Sequence, residues 1–319
     1  MTFWIFAAAI TLSAFATIVM LTSAVVALTA SIAARSLERY TPASRATLLL
    51  RLRLLPAAAA TLVAFGVALP IFAWYEPPHT DEALARTLVV TAAIGLLFMT
   101  RAAWRGAAAL AATWRVQRQW TGRGRRIDIA DSGLPVYAID EPFPIVAVVG
   151  IRRPALFVAE RVLRECTPDE VRAMVRHECA HVGERDNLKR LLMCISPAPG
   201  ARALDSEWSS ASEEAADAAA VDGSRTVALE LAQALIHVAR LAPAPVAPRL
   251  ASAFYRGGSI EERVRRLLAA DELPPEPART VRPLNRALAV SLLGLLAVTV
   301  ALAAPALHQA MESFVSLLP

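Results

Sequence analysis

The sequence has few cysteines and few histidines. Among its 319 residues there are three cysteines and five histidines. The three cysteines, Cys166, Cys179 and Cys194, are odd in number and lack the spacing of a disulfide framework. This excludes a disulfide-stapled scaffold and is typical of a reducing compartment. We therefore interpret each cysteine as a small apolar side chain of the interior.

Basic patches interleaved with aromatic residues are also absent. Aromatic residues make up 6% of the chain, although its net charge is +5 and its pI is near 9.6. Direct nucleic-acid binding is therefore not expected, because such patches are its usual signature. The positive charge is better explained by arginines that flank apolar segments.

Charge is missing from several long stretches, which predicts membrane spans. The hydrophobic content is 56% and the mean hydropathy is +0.45. Four segments are long enough to cross a bilayer, namely 1–34, 54–75, 83–104 and 287–311. The first lacks the basic start and the short apolar run of a signal peptide. The third is the weakest, and a buried core helix is the alternative there.

The arginines predict one orientation in the membrane. They are concentrated between the first two spans, after the third and before the fourth, whereas the loop after the second span leans acidic. Positive loops stay in the cytoplasm, so both termini are expected outside the cytoplasmic membrane. The predicted domains are 1–114 with three spans, a cytoplasmic domain over 115–285, and 286–319 with the fourth span and a short tail.

The cytoplasmic segment begins with short β-prone runs and continues with helices. The runs at 134–140, 144–150 and 155–160 predict a small sheet. Helices are predicted from Thr167 to about 192, from 209–212 to 223, over 224–241 and over 259–270. The first has a strong start, because Thr167 and Glu170 can form a capping box around Pro168. The predicted fold is therefore mainly α, with an α+β domain between the third and fourth of four transmembrane helices.

The stretch RHECAHVGERDNLKRLL, residues 176–192, contains the order H-E-x-x-H. Residues four apart on a helix lie about 40° apart around the axis, so His177 and His181 face the same way and can hold one zinc ion. Glu178 can reach a water at that metal without binding the metal, as the base of a peptidase requires. The alternative is a chance pattern on a solvated, charged helix.

A catalytic zinc needs a third protein ligand, and ASEEAADAAAVDG supplies candidates. Glu213 is the predicted ligand, and Glu214 is its rival, about 100° away on the helix. Asp217 lies one turn beyond Glu213 and can accept a hydrogen bond from the other nitrogen of a ligand histidine. We interpret Asp186 as a cap or an ion-pair partner, and His237 as a core or surface residue rather than a transition-state donor.

These residues resemble a known family. HECAHVGERDNLKRLL and the upstream PIVAVVGIRRPALFVAERVL and TPDEVRAMVRHE resemble the BlaR/MecR-type antirepressor membrane zinc metallopeptidases. The matching features are Gly150 and Pro154, the run Arg185-Asp186-Asn187 after the histidines, EEAAD, and IEERVRRLL. The resemblance implies a zincin-like domain with His177, His181 and Glu213 as zinc ligands, Glu178 as the catalytic residue and Asp217 as their support.

The resemblance also implies a function. In that family the peptidase cleaves a cytosolic transcriptional repressor or itself, and full-length receptors carry a penicillin-binding sensor after the fourth span. No such segment follows here, so we expect only the peptidase half, with a separate sensor protein as partner. Two alternatives remain. One is an HtpX-like membrane quality-control protease, which shares H-E-x-x-H and E-x-x-A-D. The other is a non-catalytic zinc-binding transducer or scaffold.

Overall fold

The structure is a computed structural model that describes residues 2–37, 40–75, 86–130, 132–241 and 260–269. Its first part is helical throughout: α1 (Thr2–Leu37), α2 (Pro42–Val63), a π-helical segment (Ala64–Ala68), α3 (Leu69–Tyr75) and α4 (Arg86–Arg123). The π-helical segment ends just before Pro70, which has no N–H to donate back along the helix.

Among the described residues, three helical stretches are long and apolar enough to cross a membrane. They are Phe3–Leu28, Pro42–Trp74 and Arg86–Arg123. Only 17% of the apolar window of Arg86–Arg123 is buried, which argues against the buried core helix considered for it. The predicted fourth span, 287–311, lies outside the described residues.

Helix α4 continues far past its apolar part. Its 38 residues span about 57 Å, whereas the apolar core of a bilayer is about 30 Å thick. The helix therefore runs without interruption across residue 114, where the sequence suggests a domain boundary. Near the end of α4, the centroid of the Trp120 ring lies 5.3 Å from that of Phe157, which belongs to the sheet. The end of α4 therefore packs directly against the sheet.

The sheet has four strands, β1 (Arg125–Ile127), β2 (Val136–Ile139), β3 (Val146–Val149) and β4 (Ala155–Ala159), in the order β1-β2-β4-β3. Strands β2 and β4 are parallel and the other pairs are antiparallel. The three predicted runs are confirmed as β2, β3 and β4. Strand β1 was not expected, because two of its three residues are arginines. Strand β3 lies at one edge of the sheet, next to the helix that carries the two histidines.

In the part of the chain that the structure describes, the helices after the sheet are α5 (Glu160–Glu165), α6 (Pro168–Gly183), α7 (Asp186–Ile195), α8 (Arg202–Val221), α9 (Arg225–Leu241) and α10 (Ile260–Ala269). The helix predicted from Thr167 to about 192 is wrong as one element. It breaks at Arg185, whose φ of 56° is left-handed, and α7 begins at Asp186. Helix α8 begins earlier than the predicted 209–212. Helices α9 and α10 agree with the prediction.

Two of the hydrophobic clusters pack these helices against the rest of the described structure. The larger one packs the sheet against α6, α9 and α10, with Leu156, Met174 and Leu231 fully buried. The second packs α2 against α7 and α8 through residues such as Leu49 and Trp208. Helix α8 is therefore in contact both with the core around the sheet and with α2, which is part of a stretch long and apolar enough to cross a membrane.

Candidate metal centre

Helix α6 begins with a complete capping box. The Thr167 hydroxyl accepts a hydrogen bond from the Glu170 N–H at 3.3 Å, and the Glu170 carboxylate accepts one from the Thr167 N–H at 2.7 Å. This double cap satisfies two N–H groups that a helix start leaves open. It defines where α6 begins, and its inner face then buries His177, Glu178 and His181.

Three potential ligands from two helices converge at one point. His177 and His181 come from α6 and Glu213 from α8, and all three are buried. The Nε2 atoms of the two histidines are 3.2 Å apart. The Nε2 of His177 is 3.3 Å from one Glu213 oxygen, and the Nε2 of His181 is 3.5 Å from the other.

These separations fit a tetrahedral metal. Two ligand atoms each 2.0–2.1 Å from a tetrahedral zinc ion are about 3.3–3.4 Å apart. Neither oxygen of Glu213 accepts a hydrogen bond of good geometry from the residues that the structure describes, although the side chain is fully buried and one oxygen has an ion-pair partner, Arg263, at 3.2 Å. Buried carboxylate oxygens without hydrogen bonds are costly. The two imidazoles and the carboxylate are therefore a suitable donor set for one zinc ion.

Each histidine has its own orienting carboxylate. The Nδ1 of His177 lies 2.9 Å from Asp217, on α8, and the Nδ1 of His181 lies 2.7 Å from Asp186, at the start of α7. A carboxylate at Nδ1 holds the proton there and leaves the Nε2 lone pair for a metal. Both histidines therefore face the centre with the nitrogen that a metal would use.

Asp186 has a larger part in the site than the sequence indicated. It is buried, and it accepts hydrogen bonds from the Ser212 hydroxyl at 2.6 Å and from the Lys189 ammonium at 3.0 Å. Because the helix breaks at Arg185, the Asp186 carboxylate can contact a histidine five residues earlier in the chain. The interpretation of Asp186 as a residue that pairs within the helix or holds a basic neighbour agrees with its ion pair to Lys189, and its contacts with His181 and Ser212 come in addition.

The charges of the centre favour a cation. Burial opposes protonation of His181, but contacts with Asp186 and Glu213 raise its pKa to about 10. Burial favours the neutral forms of Glu213 and Asp217. Contacts with both histidines nevertheless hold the pKa of Glu213 well below its usual range, and contacts with His177 and Arg263 lower the pKa of Asp217 to about 2. The buried carboxylates therefore stabilise a positive charge at the centre. Protons on the histidines or a metal ion can supply that charge.

Arg263 is a buried member of the site that was not singled out from the sequence. It comes from α10 and is 1% exposed, and it donates two hydrogen bonds to Asp217 at 2.8 and 2.6 Å. Its Nη1 is 3.2 Å from Glu213. This arginine balances the charge of two carboxylates and joins α10 to α8.

Glu178 lies beside the centre but not in it. One of its oxygens accepts a hydrogen bond from the N–H of Val148, in β3, at 3.1 Å. The other is buried and has no hydrogen-bond partner among the described residues. Burial raises the pKa of Glu178. A carboxylate of this kind can accept a proton, because its neutral form is favoured by the surroundings.

A groove of about 700 Å³ leads to these groups. Its walls are β3 with the residues that follow it, the end of α4, and the start of α7, and both Glu178 and His181 line it. The Asn187 amide bridges the edge of the sheet, donating to the carbonyls of Val148 at 3.3 Å and Gly150 at 2.9 Å. The open edge of β3 thus faces the same space as the candidate base.

Other candidates lie elsewhere. Glu214 points away and pairs with Arg45 at 2.5 Å and Arg266 at 2.9 Å, so the rival to Glu213 is not part of this centre. The Cys179 thiol donates to the carbonyl of Ser132 on another face of α6. His79 and His308 lie outside the described residues.

No protein-family model matches the chain, and no match is found among curated proteins.

Proposed function

We propose that this chain is an integral membrane zinc endopeptidase. The observation that carries the proposal is the convergence of His177, His181 and Glu213 at the spacing of zinc ligands, with Glu178 beside them in an open groove. A site that only binds zinc has no need of an acidic side chain between the metal and a groove. The arginine distribution supports a cytoplasmic position for this domain.

The residues have separate tasks in the proposed reaction. A zinc ion on His177, His181 and Glu213 would supply Lewis acidity to a water molecule and to the scissile carbonyl. Glu178 takes a proton from that water as its oxygen bonds to the carbonyl carbon. The C–N bond then breaks, and Glu178 returns the proton to the leaving amine. Asp217 and Asp186 keep the histidines oriented throughout.

The edge of β3 supports an extended polypeptide as substrate. In this strand Val148 directs its N–H to Glu178 and its carbonyl to Asn187, so its backbone groups point away from β4 and into the groove. An extended peptide can pair with such an edge as an added strand. It would displace these side-chain contacts and bring its carbonyl past Glu178.

Cleavage by a Glu178→Gln variant tests the proposal. The full chain is purified in detergent and incubated with a proteome-derived peptide library, and new termini are identified by mass spectrometry. Loss of a general base typically costs about 10²–10⁴ in rate, and zinc content should stay the same. Glu184→Gln is the matched control, because Glu184 ends the same helix but its side chain is 52% exposed. Unchanged cleavage in Glu178→Gln would refute the mechanism.

The identity of the substrate is a further step of the proposal. Resemblance to the antirepressor peptidases favours signalling through one cytosolic repressor or through self-cleavage. An HtpX-like role predicts many substrates among damaged membrane proteins. Labelling of new N-termini in cells that contain active or Glu178→Gln protein separates these roles, because signalling gives one or a few new termini and quality control gives many.

A further inference from the structure

A second group of metal-ligating side chains lies at the opposite end of α6. It consists of Cys166, which follows α5, Glu170 in the first turn of α6, and His237 on α9. The potential ligand atoms of the three residues lie within 4.8 Å of one another. Glu170 precedes His177 by seven residues, which is about 10 Å along the helix. The second group is therefore separate from the candidate metal centre.

Glu170 can take part in this group without giving up its cap. One of its oxygens, Oε2, accepts the Thr167 N–H at 2.7 Å. The His237 Nδ1 lies 3.2 Å from Oε1 and 3.3 Å from Oε2. A metal bound through Oε1 would leave the capping hydrogen bond at Oε2 intact. The start of α6 would then be tied to a metal and to the capping box at the same time.

Two of the three residues in this group are buried, and the third is partly exposed. Cys166 and Glu170 are buried, whereas the side chain of His237 is 43% exposed. In a tetrahedral zinc site a thiolate sulfur and an imidazole nitrogen are about 3.6 Å apart. Closing the group from 4.8 Å or less to that distance requires a shift of about an ångström. The half-exposed His237 can make this shift, and its open side leaves a fourth position for water.

We propose that Cys166, Glu170 and His237 form a second binding site, for zinc or another thiophilic divalent cation. A thiolate, an imidazole and a carboxylate are all common zinc ligands, and the sulfur favours zinc, cobalt or cadmium over magnesium and calcium. The bound ion joins the end of α5, the start of α6 and the middle of α9. It stabilises the folded state, because an unfolded chain does not hold these three groups together. The alternative is an ion pair between Glu170 and His237 with a thiol nearby by chance.

Cobalt spectroscopy tests this site separately from the first. The full chain is stripped of metal with a chelator in detergent and titrated with Co²⁺. A cobalt ion bound to a thiolate gives a sulfur-to-metal charge-transfer band, whereas the first centre, with His177, His181 and Glu213, contains no sulfur. We expect the band to reach the intensity of one thiolate-bound ion per chain both in the wild-type protein, which also binds an ion at the first centre, and in Glu213→Ala. Failure of the proposed peptidase function would leave this band in place.

Variants assign the band to these residues. Cys166→Ser and Cys166→Ala should both lose it while keeping the helical circular-dichroism signal of the wild-type protein. His237→Ala should raise the Kd for Co²⁺ by about tenfold or more. Cys194→Ser is the matched control, because its thiol lies near the backbone of α4, and it should keep the band. No band at saturating Co²⁺, a band that survives in both Cys166 variants, or a band lost in Cys179→Ser would overturn the proposal.

Discussion

The carboxylate of Asp186 should govern how tightly the metal centre holds zinc. Asp186 lies 2.7 Å from the Nδ1 of His181 and is held there by Ser212 and Lys189. In Asp186→Asn the side chain keeps its shape, and its carbonyl oxygen can still accept a hydrogen bond from the Nδ1–H of His181. The negative charge, however, is lost. Removal of such a partner typically weakens zinc binding about 10–100-fold, which corresponds to about 1.4–2.7 kcal/mol.

The assay is a competition between the purified protein and a fluorescent zinc chelator. Asp169→Asn is the matched control, because Asp169 is half-exposed on the first turn of α6 and pairs locally with Arg172. We expect its Kd for zinc to stay within about twofold of wild type. A wild-type Kd in Asp186→Asn, or an equal loss in Asp169→Asn, would refute the role assigned to Asp186.

Three more variants test the surroundings of the centre. Arg263→Met leaves Asp217 buried without its bidentate partner, so it should lower the free energy of unfolding by about 3–5 kcal/mol in denaturant titrations; a loss below about 1 kcal/mol would contradict a buried ion pair. Arg53 of α2 is 4% exposed and pairs with Asp205 of α8 at 2.6 Å. Arg53→Met should therefore lower the melting temperature in detergent and speed proteolysis between α7 and α8. An unchanged proteolytic pattern would contradict a stabilising contact between α2 and α8. Asn187→Ala removes two hydrogen bonds to the sheet edge, so it should lower the free energy of unfolding by about 2 kcal/mol and leave the zinc affinity unchanged. A loss of zinc would contradict the placement of Asn187 outside the metal ligands.

Local patterns made part of this site predictable. The capping box at Thr167 follows from four adjacent residues, and the common face of His177 and His181 follows from helix geometry alone. The same spacing placed Glu213 and Asp217 on one face of a second helix. The structure brings these four side chains together, as the motif spacing led us to expect. Their role as a zinc site stays a prediction.

The missed features depend on tertiary structure. Arg185 adopts a left-handed conformation that non-glycine residues rarely take. Gly183, the last residue of α6, is a local signal of a helix end, but an isolated glycine is also tolerated inside a helix, so it did not fix the break. In an unbroken helix, Asp186 would lie about 140° around the axis from His181 and could not contact it. Arg263 stands near Arg265 and Arg266 in one short helix, and only packing decides which of them is buried. Long-range pairing of this kind leaves no local pattern in the chain.

Metal content is the most direct test of the central claim. Zinc is measured by mass spectrometry in detergent-purified protein, with Glu213→Ala beside its parent. Both carry Cys166→Ser, so that the second cluster contributes nothing. The account predicts about one zinc per chain in the parent and a strong loss in Glu213→Ala. Zinc that is fully retained in Glu213→Ala, or absent from the parent, would contradict a centre built from His177, His181 and Glu213.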